Sequence, residues 1–68
     1  MLTYKDMRNE MGMTQAQLGE HLNKTKSYVS LVENYKRKMS LVDFVPFYNL
    51  YVEKTGKSPN VITDIRHC

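Results

Sequence analysis

Two threonines, Thr14 and Thr25, constrain what this chain can fold into more than any other feature. Thr14 stands three residues before Gln17, the spacing of a capping box, in which two side chains satisfy each other's free backbone N–H groups at a helix start. Leu18 and Leu22 then repeat at helical spacing. Thr25 can cap a second helix, and Val29 and Val32 give that helix an inner side. Asn23, between the two, tolerates the positive φ of a tight turn. Gly19 lies between the leucines, where a second helix could approach closely. These residues require two short helices joined by a tight turn, with a cluster of positive charge directly behind them.

Size narrows the rest. A chain of 68 residues makes one small domain, because at this length only about 60% of the unfolded surface is buried. A separate effector-binding domain is not expected. The hydrophobic fraction of 41% is ordinary for a globular protein and argues against disorder. No apolar run approaches the roughly 18 residues of a membrane span. The N-terminus, MLTYKDMRNEM, has acidic residues and no apolar signal core, which points away from secretion. The single cysteine, Cys68, cannot form an internal disulfide and fits a reducing cytoplasm. His21, His67 and Cys68 are too few and too scattered for a closed zinc site, so no metal and no cofactor is expected, and His67-Cys68 reads as a frayed tail.

The net charge of +3 is modest but unevenly placed. Lys24, Lys26, Lys36, Arg37 and Lys38 are half of the ten basic residues, and only Glu33 opposes them there. A solvated lysine-rich surface is the plain reading of such a run. Beside two helices joined by a tight turn, it is instead the electrostatic footprint expected for duplex DNA. The pattern is that of a helix-turn-helix, whose second helix enters the major groove.

The Gly12-Met13-Thr14-Gln15 run, Arg8, Leu18, Thr25 to Ser30, Glu33-Asn34 and Arg37 resemble the Cro and phage-repressor family of helix-turn-helix proteins, over about residues 3 to 50. The resemblance implies an all-α fold, a compact bundle of four to five short helices of the lambda-repressor-like type. It places Lys26 and Ser27 at base-reading positions, with Leu31 one turn further along the same face and Ser30 less firmly beside them. Lysine can donate to guanine O6 and N7, serine suits several bases, and leucine can pack on a thymine methyl. Val29 and Val32 already mark the buried face, so Leu31 is expected to be exposed. The resemblance also implies that Arg8 of the first helix pairs with Glu33 of the third, a structural tie rather than chemistry.

Phosphate contacts are expected from Thr14 and Gln15 at a helix start, and from Asn34, Lys36, Arg37 and Lys38 on the far side. Tyr28 either gives its hydroxyl to a phosphate or packs against the second helix. Tyr35 stands where the family has glycine, so either Asn34 takes the left-handed position or the loop follows another path.

Helices are expected over about 3 to 11, 15 to 22 and 26 to 34. Ser40 with Asp43 starts a fourth helix in the manner of a capping box. Pro46 removes a backbone donor, so a one-turn fourth helix and a fifth over about 46 to 55, ending at Gly56, is preferred to one kinked helix. Residues 1–56 are then the DNA-binding domain, and 57–68 a tail or docked turn. The segment FVPFYNLYV is core by default. It is also the candidate dimer surface, with Phe47, Tyr48 and Tyr51 joined by Val61, Ile62 and Ile65.

The function expected is a sequence-specific double-stranded DNA-binding regulator, a repressor acting as a homodimer on a palindromic operator in the cytoplasm, at the nucleoid. The small size suits a bacteriophage, plasmid or other mobile element. The alternative is an antitoxin or protein-interaction module on the same fold. An enzyme is not expected, since no nucleophile lies near a base and no glycine loop could cradle a phosphate.

Overall fold

The computed structural model describes residues 1–67. Four helices follow one another: α1 (Tyr4–Glu10), α2 (Gln15–His21), α3 (Lys26–Glu33) and α4 (Leu41–Thr55). Their starts follow from the threonines. Thr3, Thr14 and Thr25 are extended, and their hydroxyls accept from the N–H groups of Asp6, Gln17 and Tyr28. At α1 and α2 the box is complete, with Asp6 and Gln17 accepting from the N–H groups of Thr3 and Thr14 at 3.1 and 2.9 Å.

The first three helices stop in one way. Gly12, Asn23 and Tyr35 have φ of 68°, 57° and 57°, and the residue after each reaches back into the last turn. Lys24 N–H donates to the Gly19 carbonyl at 2.7 Å, and Lys36 N–H to the Leu31 carbonyl at 2.9 Å. This corrects the expectation for the loop after α3: Asn34 stays right-handed, and Tyr35 itself takes the left-handed position. That conformation costs a residue with a Cβ about 1–2 kcal/mol. Ring packing offsets it, since Tyr35 lies 6.2 Å from the Tyr4 ring and 4.7 Å from the Arg66 guanidinium.

The expected break at Pro46 does not occur, and α4 runs through it without a fifth helix. The missing N–H leaves a bond to the Val42 carbonyl unmade. Val42 is 82% exposed, so water can serve that carbonyl. The opposite face buries Phe44, Phe47, Leu50 and Tyr51, each worth about 1.5–3 kcal/mol, which outweighs the proline penalty of about 3 kcal/mol. Ser40 precedes α4, but its hydroxyl donates to the Asp43 carboxylate at 3.2 Å and caps no backbone N–H.

The core gathers Met7 from α1, Leu18 from α2, Val32 from α3 and Phe47 and Tyr51 from α4. The segment after α4 docks onto it. Ile65 is 2% exposed and forms a parallel bridge with Leu2, closed by bonds from Leu2 N–H to the Asp64 carbonyl and from Arg66 N–H to the Leu2 carbonyl. His67, expected in a frayed tail, is held at both ring nitrogens. Its Nε2 lies 2.7 Å from the Val61 carbonyl and its Nδ1 2.7 Å from the Tyr4 hydroxyl. Cys68 lies outside the described residues.

Candidate nucleic-acid interface

The α2–α3 unit is set by contact at Gly19. A Cβ there would lie 2.9 Å from the Thr25 carbonyl oxygen and 3.0 Å from that of Lys24, both backbone atoms. The absent side chain lets the turn fold tightly against α2. With Tyr28, Val29 and Val32 buried, α3 turns Lys26, Ser27, Ser30 and Leu31 outward, and Leu31 is 41% exposed. Gln15 from the start of α2 joins these four around one shallow depression open to solvent.

At the start of α2 the Thr14 hydroxyl and N–H are both engaged with Gln17. The donors left for an anion there are the N–H groups of Gln15 and Ala16 and the O–H of Thr14, whose oxygen only accepts from Gln17. The Gln15 side chain donates to Glu33 Oε1 at 3.1 Å. On the other flank Lys36, Arg37 and Lys38 are all exposed. Asn34 is exposed and donates from Nδ2 to the Ser30 carbonyl at 2.8 Å.

Arg8 and Glu33 are brought together across α1 and α3. Arg8 Nε donates to Glu33 Oε2, Nη2 to Oε1 at 3.1 Å, and Nη1 to the Met13 carbonyl at 2.9 Å. The two side chains are only 10% and 3% exposed. The pair lies behind the recognition face and holds it.

Two groups of expected site residues need correction. Tyr28 does not offer its hydroxyl to a phosphate: the residue is 6% exposed, and the hydroxyl donates to Asp43 Oδ2 of α4 at 2.6 Å. Among the dimer candidates, Phe47, Tyr51 and Ile65 are core residues at 0%, 0% and 2% exposure. Tyr48 is half-buried and donates to the Pro59 carbonyl at 2.8 Å, while Val61 and Ile62 remain exposed. Sequence reasoning missed the apolar residues that do face solvent at the start of α4: Leu41, Val42 and Val45. Pro46 drew attention away from them, although their spacing already puts them on one face of a continuous helix. It also missed Asp43 as the partner of Tyr28, for which no local signal exists. Among the described residues no group of His, Cys, Asp or Glu side chains could hold a metal ion. No described helix is long and apolar enough to cross a membrane.

Residues 5–42, more than half of the chain, match the model of a helix-turn-helix family. No curated protein matches the chain, and no solved structure does. The chain belongs to the Cro/C1-type helix-turn-helix family of DNA-binding regulators.

Proposed function

We propose that this protein is a sequence-specific transcriptional repressor that binds a palindromic operator as a dimer. The observation that carries this reading is the outward face of α3, where Lys26, Ser27, Ser30 and Leu31 lie together between a helix start and a basic loop. In this reading α3 enters the major groove, Lys26 and Ser27 meet base edges, and Leu31 meets a thymine methyl. The N-terminal end of α2, through Thr14 and Gln15, and the side chains of Asn34, Lys36, Arg37 and Lys38 grip phosphates and fix the register. Occupying an operator that overlaps a promoter, at the nucleoid, would repress it.

One recognition helix covers too few base pairs to specify a genomic site, so a second copy is needed. With Phe47, Tyr51 and Ile65 in the core, the apolar surface left to contribute is Leu41, Val42, Val45, Val61 and Ile62, beside half-buried Tyr48. A standard interface of roughly 800 Å² per partner would take a large share of the 4384 Å² surface of so small a chain, so pairing is expected to complete itself on DNA.

Selection of bound duplexes from a random pool, with sedimentation of the selected complex, tests the reading. The expected result is an enriched inverted repeat carrying two chains. An enriched single half-site with one chain at saturation would remove the dimer. Failure to enrich any sequence would favour a protein-interaction module.

A further inference from the structure

Tyr28 is the one aromatic residue of α3, and two cations lie over its ring. Lys24 Nζ, from the turn before α3, is 5.4 Å from the ring centroid, and Arg37 Cζ, from the loop after α3, is 4.9 Å from it. The ring thus takes basic side chains from both ends of the recognition helix. Asp43 offsets part of this positive charge. Its Oδ2 lies 3.9 Å from Lys24 Nζ and also accepts from the Tyr28 hydroxyl and from Ser40 Oγ. Asp43 is 7% exposed, so its position is fixed by packing. The Lys24 side chain is 40% exposed, and Arg37 is exposed as well. The cluster therefore presents net positive charge to solvent beside the outward face of α3. Burial first, and then the bond to Asp43, push the Tyr28 hydroxyl up to about 12, so it stays a donor at any physiological pH.

We propose that the Tyr28 ring positions Lys24 and Arg37 as one phosphate grip beside the recognition helix. The proposal rests on the DNA-binding reading and adds to it a contact residue, Lys24, and a positioning residue, Tyr28. The ligand is a backbone phosphate: an anion suits two exposed cations held by one ring beside the outward face of α3, and each phosphate neutralised steepens log K against log salt by about 0.9. An aromatic face is what holds both cations, because its quadrupole attracts each of them while its rigidity fixes where they stand.

The test measures the affinity of the full chain for a short mixed-sequence duplex across a salt series, with circular dichroism confirming that each variant is folded. Tyr28→Leu keeps both charges and removes the ring, so the slope should fall by about 0.9. Tyr28→Phe keeps the ring, so the slope should be retained even though the bond to Asp43 is lost. Arg37→Gln should lower the slope in the wild-type background and change it little in the Tyr28→Leu background. A folded Tyr28→Leu protein with the wild-type slope would overturn the grip. Should Tyr28→Leu not fold, Lys24→Gln and Arg37→Gln decide at exposed positions, and a wild-type slope in either would also overturn it. A wild-type protein with little salt dependence would instead sink the DNA reading itself, so the two failures are distinguishable.

Discussion

Arg8 reaches Glu33 through two nitrogens and the Met13 carbonyl through a third, and both side chains are nearly buried. A pair of this kind contributes little over well-packed apolar residues, but breaking it leaves an uncompensated charge in the interior. Arg8→Ala or Glu33→Ala should therefore destabilise the protein by about 3–5 kcal/mol, a large share of the stability of so small a domain. The double variant Arg8→Met, Glu33→Leu should recover most of the loss. Chemical denaturation of the three proteins checks this, and a double variant as weak as the sum of the singles would show no coupling. Outward residues behave differently. Lys26→Ala should relax preference at particular base pairs, at about 1–3 kcal/mol, whereas Lys38→Ala should weaken cognate and random duplexes alike. Equal losses on both duplexes for Lys26→Ala would move it from the readers to the anchors.

At the scale of elements, α2 and α3 are locked by the backbone contact at Gly19. Alanine is the better helix former there by about 1 kcal/mol, yet its Cβ would meet two carbonyl oxygens at about 3 Å. Gly19→Ala should therefore destabilise by about 1–3 kcal/mol net and shift the tilt of α3. Thermal melts and DNA affinity together read it. A Gly19→Ala protein more stable than the wild type would mean that the turn yields more easily than this geometry allows. The long α4 shows the opposite balance, where an unfavourable residue in the chain is overruled by the face it helps to bury. Pro46 speaks only of one missing bond, and the apolar residues around it speak of several buried side chains.

For the whole molecule, one carboxylate ties the first helix to the last helix and to the segment behind it. Glu10 at the end of α1 accepts from Tyr51 of α4 at 3.0 Å and from Lys57 beyond α4 at 2.8 Å. The Lys57 bond first, then the Tyr51 bond, hold its carboxyl below the ordinary value of 4.5. A carboxyl lowered in the folded state contributes stability that is present above its unfolded value and is lost as pH falls through the folded one. The melting temperature should thus decline on acidification below about pH 4.5, and Glu10→Gln should show a shallower decline. Asp6, lowered by its bonds with Thr3, adds to the same acid limb, so the comparison of the two proteins isolates Glu10. Identical acid limbs in melts of both would remove this tie from the account.

The elements that depend only on neighbours along the chain are legible in the amino-acid order. Thr14 with Gln17, Thr25, and Gly12 and Asn23 at positive φ act within a few residues, so they mark the first three helices and the tight turn without any tertiary information. The outward face of α3 follows in the same way, because Val29 and Val32 fix the buried side and helical spacing fixes the other. The rest depends on contacts between distant segments. Whether Pro46 ends a helix depends on how much surface Phe44, Phe47 and Tyr51 bury against α1, and whether Tyr35 can be left-handed depends on Tyr4 and Arg66. Asp43 became the partner of Tyr28 from fifteen residues away, and Ile65 became core by pairing with Leu2 at the other end of the chain. Local signals carry the energy of single turns. Which aromatic residue is core, which apolar residue is left outside and which polar groups meet are settled by packing between segments that the chain keeps far apart.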